Sequence, residues 1–167
     1  MSQESVQRRL AAILAADVVG YSKLMGADET GTIAALKAHR SQLFEPKAAQ
    51  HNGRTVKLMG DGELMEFPSV VEAVRCAVEI QCAMAERNKE VPGDKRIEFR
   101  MGVNVGDVVV DGDDIYGDGV NIAARVESLA DTGGVFLSRA ARDQVRPSSA
   151  QTSFRMFFPI RTARRRT

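Results

Sequence analysis

Asp17 ends the apolar run from Leu10 to Ala16. A carboxylate there costs free energy unless it is paired or holds a cation. Asp61 lies in the turn Gly60-Asp61-Gly62, where Asp is also expected for backbone reasons alone. If the first strand is central and the hairpin pairs beside it, the two carboxylates meet at one edge of a sheet. Their oxygens would suit Mg²⁺, a hard ion usually shared with substrate phosphates. The passage Asp17-Val18-Val19-Gly20-Tyr21-Ser22 offers backbone N–H groups to phosphate oxygens, although the GxxxxGK[ST] loop is missing from the chain. Asn121 and Arg125, four apart, share one helix face and suit ribose hydroxyls and phosphate charge. The alternative is that Arg125 simply pairs with Glu127 or Glu29. Lys57 and Asp114 are not linked by spacing and read, on their own, as solvated surface charges.

The elements that must position these residues follow from the hydrophobic pattern. Arg9 to Val19 reads as a strand covered on both faces, since its apolar run is continuous rather than alternating. Asp28, Glu29 and Thr30 open a helix that runs to about Gln50, with Ile33, Leu36, Leu43 and Phe44 as its apolar stripe and a bend at Pro46. After the Asn52-Gly53 turn come strands Thr55 to Met59 and Glu63 to Phe67, joined by a turn needing positive φ. Ser69 caps a helix to about Asn88, with Val70, Val74, Ala77, Val78 and Met84 buried. Phe99, Met101, Val103 and Val105 alternate along a half-buried strand, Glu98 to Val105. Gly106-Asp107 turns it into Val108 to Val110. A Gly/Asp-rich loop, a helix from Gly119 to Leu129, a strand from Val135 to Leu137 and a short helix from Arg139 to Val145 complete the series. Hairpins between crossovers predict a mixed sheet with helices on one side.

The 167 residues amount to about one domain with a core of its own. Hydrophobic residues at 44% and charged residues at 27% exclude wholesale disorder. No apolar run approaches the ~18 residues of a membrane span, and the polar start lacks a secretory cleavage signature, so the chain reads as soluble and cytoplasmic. Net charge is +1, but Arg161, Arg164, Arg165 and Arg166 lie at the C-terminal end and the rest is net acidic. With no Trp and 5% aromatics, nucleic acid is not expected as a partner. Cys76 and Cys82 have neither zinc nor redox spacing and are expected as thiols packed in a core. His39 and His51 are expected to be structural or solvated rather than metal-bound. Pro147 to Thr167 shows little periodicity beyond Phe154 to Ile160, and reads as a poorly ordered terminus more readily than as an edge strand.

Four segments together resemble the catalytic domain of class III nucleotidyl cyclases, in its bacterial adenylate cyclase form. They are Ala16-Asp17-Val18-Val19-Gly20-Tyr21-Ser22; Val56-Lys57-Leu58-Met59-Gly60-Asp61-Gly62-Glu63-Leu64-Met65; Arg100-Met101-Gly102-Val103-Asn104-Val105-Gly106; and Asp114-Ile115-Tyr116-Gly117-Asp118-Gly119-Val120-Asn121-Ile122-Ala123-Ala124-Arg125. The resemblance runs from about Arg9 to Arg146. It implies an α+β fold, a ferredoxin-like or palm-type mixed β-sheet with helices mainly on one face. The domain would span 9–146, after a short tail (1–8) and before an atypical basic tail (147–167). Relatives usually continue with a hairpin bearing a phosphate-binding lysine. Residues 147–167 contain no lysine, so that C-terminal hairpin is expected to be missing or altered.

The resemblance also assigns roles. Asp17 and Asp61, with the carbonyl of Val18, match the ligands of two Mg²⁺ or Mn²⁺ ions per site. Lys57 and Asp114 match the residues that read the purine, in the adenylate rather than the guanylate combination of Glu and Cys. Asn121 matches the ribose-orienting asparagine and Arg125 the arginine that stabilises the transition state. The implied reaction converts ATP to 3′,5′-cyclic AMP and pyrophosphate at sites shared across a homodimer. Asp17 and Asp61 would come from one subunit and Lys57, Asp114, Asn121 and Arg125 from the other. The alternative is a catalytically impaired cyclase-like module that binds nucleotide or dimerises. A diguanylate cyclase fits less well, because Gly60-Asp61-Gly62-Glu63 only imitates the GG[DE]EF turn.

Overall fold

The computed structural model describes residues 6–145 and 160–162. Strand β1 (Gln7–Val18) leads through α1 (Tyr21–Ala27), α2 (Glu29–His39), a π-helical turn (Arg40–Phe44) and α3 (Glu45–Gln50) to the hairpin of β2 (Arg54–Met59) and β3 (Gly62–Phe67). Then come α4 (Val70–Asn88), β4 (Phe99–Asp111), β5 (Asp114–Tyr116), α5 (Asp118–Ser128), β6 (Val135–Leu137), α6 (Arg139–Gln144) and β7 (Ile160–Thr162). The sheet order is β2-β3-β1-β4-β6-β7, with β5 pairing on β4. Pairing is antiparallel except for β4 with β6 and β6 with β7.

The uninterrupted apolar character of β1 has a direct cause. Ala12, Leu14, Ala16 and Val18 belong to the core that includes α4, whereas Ala11, Ile13 and Ala15 belong to a second core with Val120 and Ala123 of α5. Most helices therefore lie on one face and α5 covers the other. The same arrangement corrects the reading of β4 as half-buried: Gly102 and Asn104 are buried along with Met101, Val103 and Val105. At Gly102 a Cβ would sit 2.3 Å from the Glu127 backbone N, so the α5 backbone rests directly on the sheet. Buried Asn104 fixes the start of α5 by donating to the Gly119 carbonyl at 3.0 Å.

Several local expectations are revised. β4 runs unbroken through Gly106-Asp107, and the hairpin falls at Gly112 (φ 58°) between Asp111 and Asp114. Pairing with β1 as far as Gln7–Val110 keeps β4 extended past the glycine. In the β2–β3 turn Gly60 alone takes positive φ (62°), so the turn has glycine at its first central position rather than positive φ at both. The helix expected from Asp28 to Gln50 is divided by the π turn, with Pro46 at the start of α3, where a missing N–H is harmless. Asp28 and Ser69 cap α2 and α4 as expected, accepting from Gly31 N and Glu72 N. α1 was not anticipated, and Ile33 faces outward at 36% exposure. Cys76 is buried but Cys82 is exposed, since six residues place them on different faces of α4.

Of the C-terminal segment only Ile160–Thr162 lies within the described residues. It is a strand parallel to β6 rather than a disordered end, because β6 offers a free edge on that side. The rest of that expectation falls outside the described residues.

His51 ties α3 to α4. It is 9% exposed, and both ring nitrogens lie 2.8 Å from carboxylates, Nδ1 from Glu72 and Nε2 from Glu79. Burial opposes its charge, but hydrogen bonds and attraction from Glu79 and Glu72 outweigh it and raise its pKa. The stabilisation is full below the ordinary His value and fades as pH rises through the raised one. The melting temperature lost in His51→Gln, measured by circular dichroism with chelator present, should thus be larger at pH 6 than at pH 9. Gly102→Ala should destabilise by about 1–3 kcal/mol in urea titrations, because α5 must lift from the sheet.

Candidate active site

β1 and the β2–β3 hairpin bring Asp17 and Asp61 to one point. The approach depends on Gly62, where a Cβ would lie 2.8 Å from the Ala16 carbonyl oxygen and 3.4 Å from Asp17 Oδ1. The π turn aims Arg40 at the hairpin, where it donates to the Asp61 carbonyl at 3.3 Å and lies 3.9 Å from Glu63 Oε2. The Asp17 and Asp61 side chains adjoin on one cleft. Burial, then the neighbouring Asp61 carboxyl, push the Asp17 pKa up to about 6; the Val18 N–H and Arg100 pull it down.

The two acids open into a cleft of about 190 Å³ lined also by Glu63, Val120 and Glu127. Two adjoining carboxyls in one cleft are a fitting seat for a divalent cation, which would screen the charge of both. Among the described residues no cluster of three or more His, Cys, Asp or Glu is placed to hold an ion. The pair would supply two ligands and leave the rest to backbone, water and substrate, as Mg²⁺ prefers.

Lys57 and Asp114, which spacing could not connect, form a 2.8 Å ion pair across β2 and β5. Lys57 Nζ also donates to the Ile115 carbonyl at 3.3 Å and lies 4.5 Å from the Tyr116 ring centre. Hydrogen bonds from Lys57 first and the Tyr116 phenol second hold the Asp114 carboxyl below its usual range. Asn121 and Arg125 lie exposed on the outer side of α5. The expected alternative for Arg125 does not occur: no carboxylate among the described residues pairs with it. None of Lys57, Asp114, Asn121 and Arg125 lines the acidic cleft. One chain therefore gathers the two acids, gathers the Lys–Asp pair elsewhere, and leaves the amide and guanidinium exposed on its surface.

Sequence reasoning missed three participants. Tyr116 braces Lys57. Arg100, paired opposite Asp17, lies 3.7 Å through Nε from Glu127 Oε1. Glu127 is buried, and burial followed by the Asp17 charge raises its pKa to about 7, against Arg100. A signal for Glu127 existed: it follows Val120 by seven and Ala123 by four, which puts an acid on the apolar stripe of α5.

The fold is that of nucleotidyl cyclase catalytic domains. A crystal structure of an adenylate/guanylate cyclase/hydrolase from Silicibacter pomeroyi superimposes with TM-score 0.79 at 41% identity, over 93% of this chain and 86% of that one. The guanylyl cyclase Cya2 gives 0.75 at 26% identity, over 85% of this chain and 81% of that one. The profile of the adenylate and guanylate cyclase catalytic domain matches residues 4–163, and the chain belongs to that family. It is 52% identical over 145 residues to "Putative adenylate cyclase 3" of Rhizobium meliloti (strain 1021), covering 87% of this chain and 25% of that protein. It is 30% identical over 152 residues to an adenylate cyclase of Streptomyces coelicolor, covering 90% of this chain and 38% of that protein. The chain thus spans well under half the length of these curated relatives. No helix among the described residues is long and apolar enough to cross a membrane.

The raised Asp17 pKa has a signed consequence. Its ionised form is disfavoured in the metal-free fold, so stability is lost as pH rises through about 6. Asp17→Asn should raise the metal-free melting temperature by a few degrees at pH 8 and change it little at pH 4, measured by calorimetry.

Proposed function

We propose that this chain is an adenylate cyclase that forms 3′,5′-cyclic AMP and pyrophosphate from ATP at sites shared between two copies, in a cytoplasmic setting. The observation that carries the proposal is the meeting of Asp17 and Asp61 on one cleft at the end of a buried strand. The name of the relative from Rhizobium meliloti supports the reaction. The Lys57–Asp114 pair supports ATP over GTP. The adenine edge offers an amine donor beside a ring-nitrogen acceptor, which a carboxylate and an ammonium complement. Guanine reverses that pattern and would leave buried polar groups unpaired, a strong penalty.

Asp17 and Asp61, with the Val18 carbonyl, would hold two Mg²⁺ or Mn²⁺ ions. When bound, such ions lower the pKa of a coordinated hydroxyl and neutralise triphosphate charge. In the reaction the ribose 3′ oxygen forms a bond to the α-phosphorus, the bond to the bridging oxygen breaks, pyrophosphate leaves and the 3′ proton passes to solvent. Asn121 orients the ribose. Arg125 faces the charge that develops on the α-phosphate, a contact often worth ~3 kcal/mol or more. Exposed on α5 and unpaired among the described residues, both are available to a second copy. Lys57 and Asp114 join them, so each site takes its acids from one chain and its base, sugar and phosphate contacts from the other. A two-fold dimer holds two such sites.

Purified protein assayed with Mn²⁺ should convert ATP and discriminate against GTP. Asp61→Ala and Arg125→Ala should each lose at least ~100-fold in kcat. Mixing the two should restore about a quarter of the activity, since random pairing makes half the dimers mixed and each has one intact site. Dimers that bind ATP yet form no product, even unmutated, would instead indicate a nucleotide-binding module.

A further inference from the structure

We propose that Glu127 is a positioning residue of the metal centre, an outer-sphere acceptor for water bound to the ion that Asp17 and Asp61 would hold. The inference rests on the reading of those two aspartates as the metal pair. It begins with an unsatisfied atom. Glu127 is 8% exposed, and its Oε1 is closed from solvent without a hydrogen-bond partner. The nearest cation, Arg100, lies 3.7 Å away through an Nε that is also unpartnered. That is attraction without a hydrogen bond. A buried carboxylate oxygen left unpaired costs about 1–3 kcal/mol or more, so the carboxyl gains by turning toward a partner that arrives in the cleft it lines.

Where Glu127 lies says what that partner is. It lines the same cleft as Asp17 and Asp61. It cannot be an inner-sphere ligand in this arrangement, because no three acids among the described residues are placed to share an ion. A hard divalent cation keeps several waters when only two carboxylates hold it. Those waters are strong donors, and acids just outside the ligand shell commonly accept from them, with effects of 10–100-fold on affinity. Glu127 is the one acid reaching this cleft from α5.

Its placement is also fixed. The α5 backbone at Glu127 rests on Gly102, whose β1 partner is Ala15, two residues before Asp17. The carboxyl therefore cannot drift from the acid pair without lifting the helix. A flexible surface acid would lack this constraint.

The test uses Mn²⁺ alone, with the full chain, and reads free Mn²⁺ by electron paramagnetic resonance. Glu127→Gln keeps the shape and removes the charge. It should weaken Mn²⁺ binding by about tenfold at pH 8, while the metal-free melting temperature stays level or rises because a buried charge is gone. Glu127→Asp, which retains the carboxylate one methylene further back, should fall between the two. In the cyclase assay the Mn²⁺ concentration for half-maximal rate should rise with little change in KM for the Mn²⁺–ATP complex.

Unchanged Mn²⁺ affinity in both variants would overturn the proposal and leave Glu127 as a counter-charge for Arg100. A lower melting temperature with unchanged affinity would do the same. Asp61→Ala is the control for the underlying reading. If it leaves Mn²⁺ binding intact, the aspartates are not the metal pair. If it abolishes binding while Glu127→Gln does not weaken it, only the role of Glu127 fails.

Discussion

Two like-charged groups in contact at the end of a buried strand are a standing cost, and much of this molecule is arranged around keeping them together. β1 cannot retreat, because β3 and β4 hold it on both sides and helices cover both faces. The hairpin cannot drift, because Gly62 lets it lie against Ala16 and Arg40 holds the turn by the Asp61 carbonyl. The free energy that maintains the contact comes from the surrounding core. What the acids gain is preorganisation: their geometry is set before any ligand arrives.

α5 is the second organising element, and its two sides face different tasks. Inward, Val120, Ala123 and Val126 complete the smaller cores, and Glu127 reaches the acidic cleft. Outward, Asn121 and Arg125 stand in solvent. Glycine at 102 brings the helix backbone onto the sheet. A helix seated by its backbone has little freedom to roll, so the two outward side chains inherit the rigidity of the sheet.

Much of this was readable in the residues. The continuous apolar run of β1 announced a strand covered twice, and the meeting of Asp17 and Asp61 followed once the hairpin was placed beside it. The capping residues Asp28 and Ser69 fixed two helix starts, because their side chains satisfy backbone donors locally. What stayed hidden depended on partners distant in sequence. Gly106-Asp107 looked like a turn, but twelve residue pairs with β1 hold β4 straight through it. Lys57 and Asp114 gave no spacing signal, because the pair forms only when β5 folds back toward β2. The π turn and α1 have no periodicity that marks them. Glu127 was visible as an acid on an apolar stripe, but its meaning required knowing which cleft that stripe faces.

The closed Lys57–Asp114 pair carries a consequence of its own. Each charge already has an intramolecular rival for any base that docks there, and Tyr116 and the Ile115 carbonyl add to what the ammonium would leave. On the proposed function, an incoming purine would have to displace these contacts on both sides at once. One that matches only half the pattern breaks the pair and recovers a single bond. Selectivity at such a place would be enforced by the empty state as much as by the filled one, like a lock whose tumblers grip each other until the right key parts them.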